Sequence, residues 1–198
     1  MSTESPTLAL KDVDLVPFTI DDVDEQYHAW LQDIEVIRYL DAARHDRSME
    51  SLRAFVSAAI TDPNRHFFKI VLLESARKVG TSSLTVDPRH RTASFGYLIG
   101  EREFWGSEVA LQAQIGLFDF GFGELVLRKL YGGACISNTG SNFNYHRLGF
   151  RREAIRRAHV LIGTEGDEPC DIVEYACLAE EWAERSASFD QYRRKGDR

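Results

Sequence analysis

The chain is predicted to form a single α+β domain, a mixed sheet of about seven strands flanked by helices. Two observations predict it. Apolar residues recur at helical spacing through the first third of the sequence and change to strand-like runs from His66 onward. No internal repeat, low-complexity tract or linker-like stretch then interrupts the alternation of strand and helix patterns.

The elements follow in order. "LALKDVDLVPF" (Leu8 to Phe18) alternates apolar and polar residues near its end and stops at Pro17, as an edge strand would. Thr19 and Asp22 form a capping-box pattern ahead of Val23, Tyr27, Trp30 and Leu31, which predicts a helix over about Ile20 to Gln32. A short second helix is expected around Glu35 to Leu40. Met49, Leu52, Phe55, Val56 and Ile60 share one face of a third helix that ends at Asp62-Pro63-Asn64. "HFFKIVLLES", "VGTSSLTVD" and "TASFGYLIG" are β-rich, joined at "SARK" and at Asp87-Pro88, and give three consecutive antiparallel strands. A helix from the stretch after Phe104 to about Phe122, a strand in "RKLYGGACIS", a short helix in "NTGSNFNYHRLG" and strands in "FRREAIRRAHVLI" and "CDIVEYACLA" complete the domain. The domain is drawn over residues 8–182, with residues 1–7 as a disordered tip and 183–198 as a polar, solvated and partly helical C-terminal tail.

Composition narrows the function classes. Of 198 residues 43% are hydrophobic, enough for one good core, and the net charge of -7 lacks the concentrated positive charge that nucleic acid or an anionic membrane requires. No apolar stretch approaches the ~20 residues that cross a bilayer, and no basic start precedes an apolar run, so a cytoplasmic protein is expected. Cys135, Cys170 and Cys177 are odd in number, lack CxxC spacing and read as reduced, buried thiols. His28, His45, His66, His90, His146 and His159 show no metal-ligand spacing, so no metal is expected. "RREAIRRAH" reads as alternating faces of a strand rather than as a nucleic-acid stripe, and neither GxSxG, GxGxxG nor a P-loop is present.

Two stretches carry a resemblance. "IGEREFWGSEVALQAQ" (Ile99 to Gln114) and "KLYGGACISNTGSNFNYHRLGF" (Lys129 to Phe150) resemble the "IG…YWGKGYATEA" and "KL…A…N..S…L.KLGF" stretches of the GNAT superfamily of acyl-CoA N-acyltransferases, in its ribosomal-protein and small-molecule branch. The likeness in element order runs from about Leu8 to Trp182. It implies a mostly antiparallel sheet with a splayed central pair. The pantetheine arm of acetyl-CoA would lie in that gap along the backbone of Tyr97, Leu98 and Ile99, as an added strand. Its pyrophosphate would rest on amides of Trp105, Gly106, Ser107, Glu108, Val109 and Ala110, where a helix N-terminus favours anions. Asn138 and Ser141 would contact the arm, and Tyr145 would stand near the sulfur as the acid that protonates the departing thiolate.

The chain departs from that pattern at two places. Glu108 stands where the family has a glycine. Its carboxylate would repel a pyrophosphate, whereas with the side chain turned away its N–H would remain available; it also suits an ordinary first-turn residue. Ser94 stands where a glutamate often serves as base, leaving Glu101, Glu103, Asp87, His90 and His146 as alternatives, each also readable as a solvated loop side chain. The resemblance implies direct attack of a neutral amine on the thioester, with a backbone amide of the splayed strand holding the oxyanion. Tyr27 to His45 and "RRAHVLIGTEGDEPCD" would shape the acceptor site. "WLQDIEVIRYL" resembles "WLNDPEVxRYL" in members acting on nucleotide-linked amino sugars, with Ile34 in place of the proline. The acceptor is therefore expected to be a small polar amine, with a protein N-terminus as a second possibility and a non-catalytic binding or interaction protein as the other class. A homodimer is a further expectation from the resemblance.

Overall fold

The computed structural model describes residues 5–40, 45–162 and 168–194. Expectations for residues 1–4, 41–44, 163–167 and 195–198 lie outside the described residues. These include most of the tip, parts of both acceptor segments and the end of the tail.

Among the described residues eight strands form one sheet in the order β1-β2-β3-β4-β5-β6-β8-β7, close to the about seven that the sequence predicts. β1 (Leu8–Ala9) and β2 (Val13–Pro17) are the halves of a single predicted strand. The amide of Leu10 donates to the carbonyl of Val13, turning the chain, and Asp12 is held by the Gln112 side chain on both its amide and its carboxylate. β3 (Arg65–Leu72), β4 (Lys78–Asp87) and β5 (Thr92–Ile99) form the predicted antiparallel meander. β6 (Lys129–Cys135) joins β5 in the one parallel pairing among the described residues, and β8 (Glu168–Leu178) lies between β6 and β7 (Arg151–Ile162).

The first predicted helix is divided. Asp22 caps a one-turn 3-10 helix at Ile20–Asp22 by accepting from the Thr19 amide, and Asp24 then caps α1 (Glu25–Gln32) by accepting from the Tyr27 amide. α2 (Ile34–Ile37) is shorter than predicted, and α3 (Met49–Thr61) begins at the cap Ser48 and ends at Asp62, beside the predicted stop. α4 (Val109–Asp119) gives way to a π-type turn over Phe120–Glu124, and α5 (Thr139–Arg147) is capped by Asn138.

The helices cover both faces of the sheet. α1, α2 and α3 enclose a core of Phe18, Val23, Trp30, Ile37, Val56 and Phe67 on one face. On the other, Leu84, Ile115, Phe118, Leu130, Leu148 and Tyr175 are central to a larger cluster packed by α4 and α5.

Two expectations are corrected here. Residues 183–194 are partly helical and mostly exposed, as expected, but they are docked rather than a free tail: α6 (Ala179–Ser186) and the following 3-10 turn return Phe189 onto Trp182, with rings stacked at 5.5 Å. Arg193 then pairs with Asp119 at 2.7 Å, and Arg194 pairs with Asp14. Cys135 and Cys170 are not separate thiols but are joined as a disulfide, since the neighbouring strands β6 and β8 bring their Cα atoms to 6.0 Å. Cys177 is free and buried.

Candidate functional site

The sheet opens at its centre. β5 and β6 pair only at Thr92 with Lys129, Ala93 with Leu130 and Ser94 with Tyr131, although both strands continue beyond these pairs. Successive residues of a strand turn their backbone groups to opposite edges. The Leu98 carbonyl lies on the β4 side, where a Cβ on Gly80 would meet it at 2.2 Å, so Phe95, Tyr97 and Ile99 present theirs to the gap. Leu98 therefore does not offer its backbone to the gap as expected, and its side chain packs with the core of the first helices. The Trp105 indole donates to the Ile99 carbonyl at 2.9 Å, capping the far end of this edge.

The turn after β5 leads into the start of α4. Gly106 has φ +75, a left-handed backbone that glycine adopts without strain, and a Cβ there would face open space. The amide of Ser107 donates to the Phe104 carbonyl, and the Val109 amide donates to Ser107 Oγ at 3.3 Å. With the Trp105 amide, which donates to the Arg102 carbonyl, three of the expected phosphate-facing amides are occupied. Those of Gly106, Glu108, Ala110 and Leu111 have no acceptor among the described residues, as at any helix start.

Glu108 is the N-cap residue of α4, yet its side chain makes no cap. It reaches α5, where Arg147 donates to both carboxylate oxygens at 3.2 Å. The hydrogen bond from Arg147 holds the Glu108 carboxyl below its usual value against a smaller opposing effect of burial, with Tyr192 and the Arg147 charge adding to the lowering. The negative charge at the glycine position is thus turned from the helix start and neutralised. Beside this turn a groove of about 640 Å³ is lined by Lys11, Arg77, Asp12, Glu74, Ser107 and Glu108 among others.

α5 closes the gap from the same face. Asn138 spends its Oδ1 on the Ser141 amide at 3.1 Å, and Ser141 Oγ meets the Tyr97 hydroxyl at 3.0 Å, bridging β5 to α5. Tyr145 is 5% exposed, its ring stacked on Tyr175 at 4.4 Å and tilted against Phe95 at 5.5 Å. A Cβ built on Gly132 would lie 2.5 Å from Tyr145 Oη. Gly132 is the first residue of β6 beyond its last pair with β5, so the hydroxyl sits where the strands part. Burial, followed by the charges of Tyr97, Glu174 and Tyr175, pushes the Tyr145 phenol far above its usual range and keeps it protonated.

The predicted alternatives for a base are not gathered at the gap. Glu101 accepts from Gln26 at 2.8 Å, Trp30 at 3.0 Å and Arg77 at 2.8 Å. Burial alone would raise its carboxyl, but the hydrogen bonds from Trp30 and Gln26 and the Arg77 charge outweigh it and lower the value. It is a tether between α1 and the turn, not a free base. Glu103 is half-exposed and pairs with Arg77, Asp87 accepts from the His90 amide, and the exposed His146 ring lies edge-on to Tyr175 at 5.6 Å. Ser94 lies on the face of the sheet opposite α5, beside Tyr131.

The Glu101 tether carries a pH signature. A lowered carboxyl contributes stability that is present above the ordinary value of 4.5 and is lost as pH falls through the lowered one. Glu101→Gln is expected to cost about 1–2 kcal/mol at neutral pH. The deficit should close in acid, and urea unfolding that shows the same deficit at neutral and strongly acidic pH would contradict this.

Sequence reasoning did not single out Gly132, Gly133, Arg147 or Glu174. Two adjacent glycines within a strand pattern signal close approach of a neighbour, and "YGGA" contains that signal. Nothing local marks the other two.

The comparisons agree with this geometry. A sequence profile described as the acetyltransferase (GNAT) domain matches residues 12–151, over half of the chain. The chain belongs to the GNAT acetyltransferase family. No curated protein matches it in sequence. Among solved structures, a candidate acetyltransferase from T. thermophilus is 25% identical with a TM-score of 0.77, covering 96% of this chain and 98% of that one. An acetyltransferase (GNAT family) from Bacillus anthracis is 22% identical, with a TM-score of 0.76 over 89% of this chain and 100% of that one. Spermidine N-acetyltransferase from Vibrio cholerae, solved with CoA and spermine, is 19% identical, with a TM-score of 0.76 over 87% and 98% of the two chains. These last two likenesses concern the fold.

Proposed function

We propose that the protein is an N-acetyltransferase that moves an acetyl group from acetyl-CoA directly to a primary amine of a small polar acceptor. The observation that carries this reading is the parted β5–β6 pair with the Tyr145 hydroxyl at its apex and the open amides of α4 at its end. The residues present suit acetyl-CoA. The edge of Phe95, Tyr97 and Ile99 offers backbone donors and acceptors to the pantetheine arm, and the amides of Gly106, Glu108 and Ala110 offer an N-terminal dipole to the pyrophosphate. Asn138 retains its side-chain N–H groups for the arm, because its cap uses only the oxygen.

Acetyl-CoA supplies the activated thioester. An edge amide of β5 donates to the carbonyl oxygen as negative charge develops there, and Tyr145, held protonated by burial, donates to the departing sulfur. The likeness of Trp30 to Leu40 to members acting on nucleotide-linked amino sugars and the fold shared with the spermidine enzyme both favour a soluble polyfunctional amine as acceptor. Protein N-termini form the second acceptor class.

Calorimetric titration of acetyl-CoA into the purified chain tests the reading. The parent is expected to bind, and a hundredfold excess over Kd to stabilise it by about 2.7 kcal/mol in thermal unfolding. Arg147→Ala frees the Glu108 charge near the phosphate and is expected to weaken binding by about 1 kcal/mol, roughly fivefold. Absence of binding by the parent with recovery in Glu108→Gly would replace this reading with that of a GNAT-fold interaction protein.

A further inference from the structure

Ser94 leaves the acceptor side of the gap without the carboxylate that β5 could have supplied, and Glu101 and Glu103 are engaged elsewhere. A carboxylate nevertheless lies beside the gap, on β8. Glu174 pairs in register with Gly133 of β6 and Ala154 of β7. Its neighbour Tyr175 faces α5, so strand alternation turns Glu174 to the opposite face, the one that carries Tyr131 and Ser94. Its side chain is 25% exposed, while its Oε1 is buried and receives no aligned hydrogen bond. The guanidinium of Arg156 from β7 is its ion-pair partner without that alignment.

β6 is thinnest at this level. Gly132 and Gly133 put no side chain on either face: Tyr145 Oη occupies the space over Gly132 on one side, and Glu174 Oε1 would stand 3.5 Å from a Cβ on Gly133 on the other. The Glu174 charge is felt through the strand, being among the influences that, after burial, push Tyr145 upward. Two groups suited to opposite proton duties thus flank one strand at the apex of the gap. The Tyr39 hydroxyl, donating to the Ser137 carbonyl at 3.1 Å, brings the end of α2 across to the end of β6 and walls this face.

We infer that Glu174, reached from the α1–α2 face of the sheet, receives the acceptor amine, pairing with its ammonium and taking its proton, in the place left open by Ser94. The inference rests on the acetyl-transfer reading. In the step, the ammonium gives one proton to the Glu174 carboxylate, and the neutral nitrogen attacks the thioester carbonyl. The C–N bond forms, the C–S bond breaks, and the sulfur leaves with the bonding pair. The second nitrogen proton reaches the thiolate through the Tyr145 hydroxyl, which gives one proton and regains one, and Glu174 releases its proton to solvent. Arg156 is the resting counter-charge that the ammonium replaces.

The test measures acetyl-CoA-dependent thiol release by the full chain and by Glu174→Gln, with spermidine, a nucleotide-linked amino sugar and a peptide bearing a free N-terminus as acceptors. Glu174→Gln is expected to bind acetyl-CoA as the parent does and to lose about a hundredfold in kcat/KM for the accepted amine. Because the amine needs no base once it is neutral, the loss should shrink as pH approaches about 10. A merely structural role would leave the loss independent of pH. Unchanged kcat/KM, or a pH-independent loss, overturns the inference. So does a parent that binds acetyl-CoA but releases thiol with none of the three amines, and that result leaves the cofactor reading standing. A parent that fails to bind acetyl-CoA removes both, and calorimetry identifies that case separately.

Discussion

Tyr145→Phe is expected to lower kcat by about 10²–10⁴ while leaving acetyl-CoA affinity unchanged. The prediction separates the ring from the hydroxyl. The ring fills the space between Tyr175, Phe95 and Phe150, and phenylalanine preserves those contacts. The hydroxyl has no hydrogen-bond partner in the chain among the described residues and faces the glycine where the strands part. Its removal should therefore cost little stability, because no buried partner is stranded. Stopped assays of thiol release with the variant and parent at saturating acetyl-CoA give the comparison. A variant within threefold of the parent would reduce Tyr145 to a packing residue and place the proton donor elsewhere.

Phe118→Ala is expected to destabilise the fold by about 3–5 kcal/mol, a large share of the total for a domain of this size. Phe118 is fully buried on α4, with Phe95 of β5 at 4.8 Å, Phe150 after α5 at 5.0 Å and Trp182 of α6 at 5.5 Å. A cavity there is bordered by elements that cannot collapse together, since β5 is fixed in the sheet and Trp182 is tied by its indole to Asp119 at 3.0 Å. The midpoint of urea unfolding should fall accordingly. A loss below 1 kcal/mol would show that α6 moves inward to refill the space and that the aromatic contacts carry little of the stability.

Much of the fold was legible because its signals are local. α3 announces itself by one apolar face between Ser48 and Asp62, and the β3–β4–β5 meander by β-rich runs broken at Ser75–Lys78 and at Asp87-Pro88. Asn138 caps α5 as its residue type suggests. What escaped the sequence depends on contacts between distant residues. The break between β1 and β2 is fixed by Gln112, a hundred positions from Asp12. The direction taken by Glu108 is decided by Arg147, 39 positions on, and the free-thiol expectation failed for Cys135 and Cys170 because β6 and β8 become neighbours only in the folded sheet. The site was legible in the same uneven way. Tyr145, Tyr97, Ile99 and Gly106 lie around one gap, whereas Leu98 turns its backbone aside and the acidic loop residues are engaged in tethers.

The return of the last described residues to the first strands bears on how the chain matures during synthesis. Arg193 bridges to Leu10 and grips the end of α4 at Asp119, and Arg194 reaches Asp14 from 180 positions away. A ribosome delivers residues in order, so the β1–β2 edge waits 180 positions, and the far end of α4 74, before their counter-charges arrive. Meanwhile the β3–β4–β5 meander, whose partners are close in sequence, can assemble early. The turn that carries Arg193 and Arg194 thus seals the domain: nascent chains stalled before Arg193 should carry a formed meander with an unsealed edge, and would be the ones most exposed to proteolysis.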